Sequence, residues 1–382
     1  MKVIISPLIF VEMSTIIFVN SFENDSLVQP SSVLAQSVLK KNLTTRIIHL
    51  VLLIAYAMKV SCESYLIFNQ LFINGFTNSI VKYKTLWRFS YRFIIAYIYF
   101  SLMINQSLYN KFFVSCHAII HGYESVANEF VVRKKATMKK LVFIFFVYEI
   151  LIVDSSRILK AFLTVNYSQI KLITYYILIV TNAACWTCFV HFIIETCVYL
   201  QATFYVISAR IENLDSMFST IREENIAPLL RLNRLLYVKA TDASKCINSF
   251  FFLIIFSYYV YFALNCIFSF DFFFESIKDS WYMLIRHLIR MIGQFSYMLI
   301  VTYAFIHVNQ LSVGIFDKVY SLTLTTSGSF EYSNEINLFL LRVGRFDAGF
   351  TFAGLFVITP SFVSSLATIS LTLGLAIPSL FR

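Results

Sequence analysis

The last part of the chain reads FTFAGLFVITPSFVSSLATISLTLGLAIPSLFR, residues 350–382. From Ser361 to Phe381 it carries no charged side chain. As a helix, about 21 residues span about 30 Å, which is the thickness of a bilayer's hydrocarbon core. Pro360 favours a helix that begins nearby, because proline is tolerated in a first helical turn. The stretch therefore predicts a membrane-spanning helix.

Hydroxyl side chains form a stripe along one face of this helix. At 100° per residue they fall within about 60° of one another. The stripe consists of Ser361, Ser365, Thr368, Thr372 and Ser379, and the turn between the last two is filled by Leu375 and Ala376. Ser370 points in the opposite direction. A helix that only had to lie in lipid would not need these alcohols.

The stripe has two interpretations. Small hydroxyl residues let membrane helices approach closely, which is their commonest use. Alternatively, hydroxyls interrupted by an apolar turn line a narrow water path whose apolar ring gates by dewetting. A single stripe cannot surround a pore, so a channel would require several copies of the chain around an axis.

The composition of the whole chain is that of a membrane protein. It is 58% hydrophobic and 14% charged, with a mean hydropathy of +0.73, whereas soluble domains carry about 25% charged residues. The fold class predicted is all-α, a polytopic membrane protein with seven transmembrane helices. The candidate segments are 47–68, 86–108, 141–164, 172–200, 248–270, 284–311 and 354–381.

Lysine and arginine in the short loops set the expected orientation. With a cytoplasmic N-terminus, roughly twice as many fall on the inner side as on the outer side, which is the bias that membrane proteins follow. The C-terminus is then extracellular, and a G-protein-coupled receptor, whose N-terminus is outside, is disfavoured. The predicted organisation is a cytoplasmic segment 1–46, helices one to six over 47–311, a cytoplasmic loop and segment-seven start over 312–353, and a pore-lining helix over 354–382.

The long loop at about 206–247 is expected to be helical and cytoplasmic. It mixes six basic with five acidic residues, and an apolar face is suggested by Leu229, Leu232 and Leu236. Segments four and five are therefore predicted to continue as helices beyond the membrane. At the other end of the chain, residues 1–20 are apolar too, and either a cleaved signal peptide or a segment on the inner membrane face is compatible with them.

Several classes of function are disfavoured. The net charge of +10 is spread between apolar runs and forms no basic stripe with base-stacking aromatics, so nucleic acid is not an expected partner. No phosphate-binding glycine loop or catalytic constellation is apparent, so an enzyme is not predicted. HAIIH at 117–121 lacks the glutamate of a zinc protease, and the thiols of CWTCFVH at 185–191 are expected to pack as small hydrophobes. Neither a metal nor a cofactor is predicted.

Ionisable and aromatic residues near the outer ends of the segments suggest a ligand pocket. Charges within membrane segments usually face a bundle interior or water, and aromatic walls with a few polar groups suit a small organic ligand. The candidate residues are Trp87, Tyr91, Arg92, Tyr148, Asp154, Tyr175, Arg290 and Gln294. The alternative for several of the charged members is that they extend to the lipid headgroups.

The residues before the last helix carry a family resemblance. EINLFLLRVGRFDAGFTFAGLF, from Glu335 to Phe356, resembles the approach to segment seven in the insect gustatory receptors, kin of the insect odorant receptors, and LNRLLYVKATDASKCINSFFFLIIFSYYVYF, residues 232–262, resembles that family's entry to segment five. The seven segments, the inner N-terminus and the long loop between segments four and five are also similar. The family's signature T-Y-x5-Q-F falls on Thr372, Leu373, Ser379 and Leu380, of which only the threonine is kept.

The resemblance implies a multi-pass plasma-membrane receptor for small-molecule tastants. Such receptors are ligand-gated, non-selective cation channels that assemble as tetramers of one chain or of related chains. Their seventh segment lines the central pore, their ligand pocket lies in the outer half of each subunit, and their cytoplasmic helices anchor the subunits. The alternative that the residues leave open is a transporter or a non-conducting ligand-binding receptor.

Overall fold

The computed structural model describes residues 106–148, 169–217, 226–279, 281–325 and 330–380, together with Ile54 and Ser61. Apart from Ile54, Ser61 and residues 106–108, segments one and two lie outside these residues, as do most of segment three and residues 1–20. The described elements, numbered in chain order, are α1 (Gln106–Ile120), α2 (Glu124–Tyr148), α3 (Gln169–Met217), α4 (Ile226–Asp279), α5 (Trp281–Thr325), α6 (Phe330–Val343), β1 (Thr351–Phe352), β2 (Phe356–Val357) and α7 (Pro360–Leu380).

Three of the helices are much longer than a bilayer is thick. Helices α3, α4 and α5 contain 49, 54 and 45 residues. At 1.5 Å per residue these lengths are about 74, 81 and 68 Å, against about 30 Å of hydrocarbon. Helix α3 ends at Met217 and α4 begins at Ile226, so both helices extend into the predicted loop at about 206–247.

Apolar stretches long enough to cross a membrane occur in the same three helices. They are Val190–Ser216, Ile226–Leu264 and Met291–Leu324, and Pro360–Ala376 is a shorter apolar stretch in α7. The described chain is therefore mostly helical and capable of spanning a bilayer, as predicted.

The chain divides into two compact units. One comprises residues 1–104 and 142–191, and the other comprises 105–141 and 192–382. Within the first, the described segments are the helical residues 142–148 and 169–191. The second contains α1, α4 to α7, the hairpin, and the larger parts of α2 and α3, and it holds the features described below.

Helix α4 is the central element of the second unit. It contacts α1, α5, α6, α7 and β1. Its buried side chains recur every seven residues, in two series: Leu230, Tyr237, Ser244, Phe251 and Tyr258, and Asn233, Ala240, Ile247 and Ile254. A seven-residue repeat keeps one seam facing its neighbours along a long helix, as in coiled coils.

The amphipathic face expected on the first turns of α4 is partly wrong. Leu236 is buried, but Leu232 is 47% exposed, and the buried seam runs through Leu230 and Asn233 instead. Asn233 bonds the Leu229 carbonyl within its own helix, at 3.1 Å. A search of the sequence for apolar residues at helical spacing misses this seam, because the polar residues Asn233 and Ser244 occupy buried positions in it.

Buried side-chain hydrogen bonds join the long helices. Gln201 on α3 donates to the Ala304 carbonyl on α5, at 2.9 Å. The Tyr237 hydroxyl on α4 lies 2.9 Å from that of Ser312 on α5. Buried polar groups are costly unless bonded, so these contacts fix the relative heights of the three helices.

A short β-hairpin interrupts the helical chain before α7. Thr351 pairs with Val357 and Phe352 with Phe356. Ala353 and Gly354, at the centre of the turn, both have positive φ, as in the primed turns that suit hairpins. The hairpin is a short strand pair within the otherwise helical described chain. The seventh helix begins at Pro360, as the proline predicts, so residues 354–359 of the predicted segment 354–381 precede the helix.

Gly349, just before the hairpin, is constrained by both conformation and space. Its φ is +137°, and a Cβ there would lie 3.3 Å from the Asn309 Cβ and 3.4 Å from a Val357 methyl. We expect Gly349→Ala to lower the free energy of unfolding by roughly 1–3 kcal/mol, because L side chains rarely adopt this backbone conformation. Thermal unfolding of the detergent-solubilised protein measures the change.

Gly314 provides the matched control. It lies inside α5, and a Cβ there would meet no atom within 4 Å. Gly314→Ala should raise helix stability, since alanine is favoured over glycine in a helix interior by roughly 1 kcal/mol. Equal melting temperatures for the two variants would contradict the constraint assigned to Gly349.

Candidate pore helix and its linkage loop

Helix α7 exposes most of its hydroxyl stripe in the single chain. Ser361, Ser365, Thr368 and Thr372 are exposed, and Leu375 is 51% exposed. Ala376 is half-buried, and Ser379 lies in the last turn of the helix, with its side chain outside the described part. Within the described residues, the stripe therefore does not serve the packing of α7 against its own chain.

The opposite face of α7 packs on the chain. Ser370 is 3% exposed and Gly374 is also buried. At the start of the helix, the Phe362 ring lies 5.4 Å from the Tyr259 ring of α4 and 5.4 Å from the Phe352 ring of the hairpin. Burial of this face fixes the rotation of α7, so that the stripe faces away from α4.

Hydroxyls on α7 donate to the carbonyls one turn earlier. Ser364 donates to Pro360 at 3.1 Å, Thr368 to Ser364 at 2.9 Å, and Thr372 to Thr368 at 2.9 Å. A hydroxyl that has donated its proton keeps acceptor lone pairs. Thr368 and Thr372 therefore present oxygen acceptors along the stripe, and such a surface suits a partly hydrated cation better than an anion.

Thr359 caps the start of α7. The Phe362 amide donates to the Thr359 hydroxyl at 3.3 Å, and the Val363 amide donates to its carbonyl at 3.2 Å. Threonine is a favoured N-cap because its oxygen satisfies an amide that has no partner within the helix. The cap fixes the residue at which α7 begins.

The segment 344–359 joins α6 to α7 and is called the linkage loop here. Asp347 is its electrostatic centre: its carboxylate lies 2.8 Å from the Lys245 ammonium of α4 and 2.8 Å from the Arg342 guanidinium of α6. Beside it, the Gly349 amide donates to the buried Ser244 hydroxyl at 3.1 Å. One aspartate thus ties α4 and α6 to the loop that leads into α7.

Two asparagines fasten the rest of the linkage loop. Asn248 of α4 accepts from the Thr351 amide at 2.9 Å and donates to its hydroxyl at 2.8 Å. Asn309 of α5 donates to the Ala348 carbonyl at 2.9 Å. These bonds supply partners for backbone groups that have none in a helix or strand, and they bind the loop to α4 and α5 together.

An aromatic side chain of the linkage loop packs between α4 and α5. Phe350 is 1% exposed, and its ring lies 4.8 Å from that of Phe305 on α5 and 6.2 Å from that of Phe251 on α4. Aromatic pairs at these separations are favourable beyond the area they bury. A displacement of α4 or α5 would therefore reach the start of α7 through both packing and hydrogen bonds.

Further ion pairs join the helices beyond the linkage loop. The Arg234 guanidinium of α4 lies 3.1 Å from the Glu335 carboxylate of α6. Lys318 of α5 contacts Glu212 of α3. The ion pair of Lys135 and Glu195, at 2.5 Å, is buried between α2 and α3. These pairs join α4 to α6, α5 to α3, and α2 to α3.

The predicted ligand-pocket residues remain a prediction. Trp87, Tyr91, Arg92 and Asp154 lie outside the described residues. The other four lie on described helices: Tyr148, Tyr175, Arg290 and Gln294. Of these, only the Tyr148 side chain is described, and it is half-buried on α2. Among the described residues, no group of three or more His, Cys, Asp or Glu could hold a metal ion.

Comparison with known proteins gives a likeness in structure but not in sequence. No family model and no curated protein matches the chain. The insect olfactory receptor OR5 from Machilis hrabei is similar with a TM-score of 0.62 at 11% identity, over 86% of this chain and 87% of that chain. The chain has an insect olfactory receptor fold.

A second solved structure gives the same result. OR5 from Machilis hrabei in complex with eugenol is similar with a TM-score of 0.57 at 12% identity, and the match covers 98% of this chain and 99% of that chain. At this identity the likeness concerns the fold.

The contacts of the linkage loop are the functional residues that sequence reasoning missed. Lys245 and Asp347 are 102 positions apart, and Asn248 and Thr351 are 103 apart. The available signal was that Asp347 is the last acidic residue before a long uncharged stretch. Nothing in the sequence indicated its partners, because they meet only when α4 and α6 pack together.

Asp347 should make the stability of the linkage loop depend on pH. Partial burial raises the pKa of its carboxyl, but hydrogen bonds and charge attraction from Lys245 and Arg342 outweigh this and hold the pKa below its usual value. A lowered pKa gives stability that is present above the ordinary aspartate pKa of about 3.9 and is lost as pH falls through the lowered value.

We therefore expect Asp347→Asn to lower the free energy of unfolding by about 1 kcal/mol at neutral pH, because the pairs are partly exposed. The difference from the unsubstituted protein should shrink below about pH 4, since acid neutralises the native carboxylate as well. Thermal unfolding over a pH series measures it. Glu129→Gln is the control, because the exposed Glu129 has no ion pair among the described residues; an equal loss there would contradict the role of Asp347.

Proposed function

We propose that the chain is a chemosensory receptor of the plasma membrane that acts as a ligand-gated, non-selective cation channel. Four copies, or copies together with related subunits, would surround a central pore lined by α7. The proposal keeps the predicted topology of seven segments with a cytoplasmic N-terminus and an extracellular C-terminus. Its ligand would be a small organic tastant, as the resemblance of Glu335–Phe356 to gustatory receptors implies.

The exposed hydroxyl stripe is the observation that carries the proposal. Ser361, Ser365, Thr368 and Thr372 face away from the chain, while Ser370 and Gly374 are buried. A polar stripe on an otherwise apolar helix is explained when copies of the chain bring their stripes together around water. The apolar turn at Leu375 and Ala376 would then be the narrow ring that gates by dewetting.

The likeness in fold supports the receptor part of the proposal. Both solved structures are of an insect olfactory receptor, one of them in complex with eugenol. A small organic molecule of that kind suits the aromatic pocket predicted near Trp87 and Tyr148. The altered signature positions Leu373 and Ser379 suggest that conduction by this chain depends on a partner subunit.

The linkage loop supplies the route for gating. Ligand-induced movement of α4 or α5 would displace Asp347, Asn248 and Asn309, which hold the loop in front of α7. Because Thr359 caps α7 directly after the loop, the helix would move as a rigid element. A channel of this design opens by a shift of α7 rather than by unfolding.

Leu375→Ser tests the apolar ring. Replacing an apolar gate residue by a hydroxyl should remove the dewetting barrier, so we expect resting cation current in expressing cells to rise several-fold. Ile369→Ser is the control: Ile369 is 57% exposed on α7 but lies off the stripe, about 120° from Leu375 at 100° per residue. Unchanged baseline current in well-expressed Leu375→Ser protein would argue against the gate.

The number of chains in the assembly can be measured from its mass. We expect the purified protein in detergent, after correction for the detergent, to have the mass of four 44.3-kDa chains. Cross-linking of cysteines introduced at Thr368 should link neighbouring copies, because the stripes converge on the axis. A strictly monomeric particle would overturn the pore and leave a non-conducting receptor or transporter.

Ligand and conduction are tested together by calcium imaging. Cells expressing the chain, with and without candidate partner subunits, are exposed to a panel of tastants that includes sugars and bitter compounds. We expect ligand-evoked calcium entry with at least one subunit combination. Uptake or binding of a tastant without current would instead identify a transporter or a non-conducting receptor.

A further inference from the structure

A groove of about 480 Å³ lies between α2 and α5 in the second unit. Its lining includes the apolar side chains of Met138 and Leu141 on α2 and of Leu299 on α5. Arg133 and Lys134, which precede Met138 by about one turn of α2, and Tyr303 of α5 also line it. The volume falls within the range of about 300–1,000 Å³ that is typical of small-molecule sites.

Distances along α5 indicate where the groove lies across the thickness of the bilayer. Trp281 begins this helix and is 78% exposed, and Tyr303 is also exposed. The two are 22 residues apart in one helix, or about 33 Å, which is close to the 30 Å of a hydrocarbon core. Trp281 precedes the predicted segment 284–311, so Tyr303 lies in the second half of that segment, toward the side that the loop charges assign to the cytoplasm.

The two cations at the groove have no acidic partner. Neither Arg133 nor Lys134 forms an ion pair among the described residues, and the described lining contains no acidic residue. The Lys134 ammonium lies 6.0 Å from the centre of the Tyr303 ring and 5.9 Å from that of Phe130. The aromatic rings hold the ammonium beside the groove while its charge remains uncompensated.

We propose that this groove binds an anionic phospholipid of the cytoplasmic leaflet. Its phosphate and headgroup would lie against Arg133 and Lys134, and an acyl chain would follow Met138, Leu141 and Leu299. Basic side chains beside an apolar groove between membrane helices match both parts of such a lipid, whereas a zwitterionic lipid brings no net negative charge to the two cations. The bound lipid would bridge α2 and α5. The inference depends on the membrane location and not on conduction.

Native mass spectrometry of the detergent-solubilised full chain tests the proposal. Dioleoylphosphatidylserine is compared with dioleoylphosphatidylcholine, which has the same acyl chains and no net charge. We expect the protein to retain phosphatidylserine at a roughly tenfold lower concentration, and Arg133→Gln/Lys134→Gln to abolish this preference, because each basic residue near an anionic headgroup favours binding severalfold. Equal retention of both lipids by the unsubstituted protein would overturn the proposal.

Two further variants separate the parts of the site. Arg231→Gln/Lys239→Gln removes two exposed cations from α4 instead, and it should keep the preference for phosphatidylserine. Leu299→Trp fills the groove without changing charge, and it should weaken retention of both lipids. Persistence of the preference in Arg133→Gln/Lys134→Gln, or its equal loss in the α4 control, would contradict a site at this groove. Free glycerophosphoserine should not compete, since it lacks the acyl chains.

Discussion

Backbone hydrogen bonding in lipid is the constraint on which the rest of the structure depends. No water is available in the hydrocarbon core, so each crossing must be a continuous helix with its amides and carbonyls satisfied internally. Helix α4 is continuous over 54 residues, which is far longer than the bilayer is thick. Its seven-residue seam from Leu230 to Tyr258 then gives α1, α5, α6 and α7 one common surface to pack against.

The linkage loop interrupts the helical chain, and its backbone groups are hydrogen-bonded by side chains of neighbouring helices. The linkage loop and its hairpin have backbone groups without helical partners, and Ser244, Asn248 and Asn309 supply those partners instead. The ion pairs of Asp347 add a charge-based attachment to α4 and α6. Hydrogen bonds, ion pairs and aromatic packing thus attach this loop, which leads into α7, to the long helices α4 and α5.

The hydroxyl stripe and the groove between α2 and α5 are both surfaces whose polar or charged groups have no counterpart in the described part of the chain. On α7, the Thr368 and Thr372 hydroxyls donate to their own helix and present oxygen acceptors outward. At the groove, Arg133 and Lys134 stand above apolar side chains without an acidic partner among the described residues. In both places, surfaces that the single chain leaves uncompensated indicate what a partner copy or a lipid would contribute.

Hydropathy and helical periodicity are local properties. The sequence therefore predicts the membrane class, the helix start at Pro360 and the face of α7 that carries the hydroxyl stripe. Which face of α7 is buried depends on the packing of the helices: Ser370 is buried and the stripe is exposed. Packing also exposes Leu232 while it buries Asn233, and it accompanies the hairpin at residues 351–357. It also brought Lys245 to Asp347 across 102 positions. These outcomes depend on which helices pack together, and no local pattern encodes a partner that is distant along the chain.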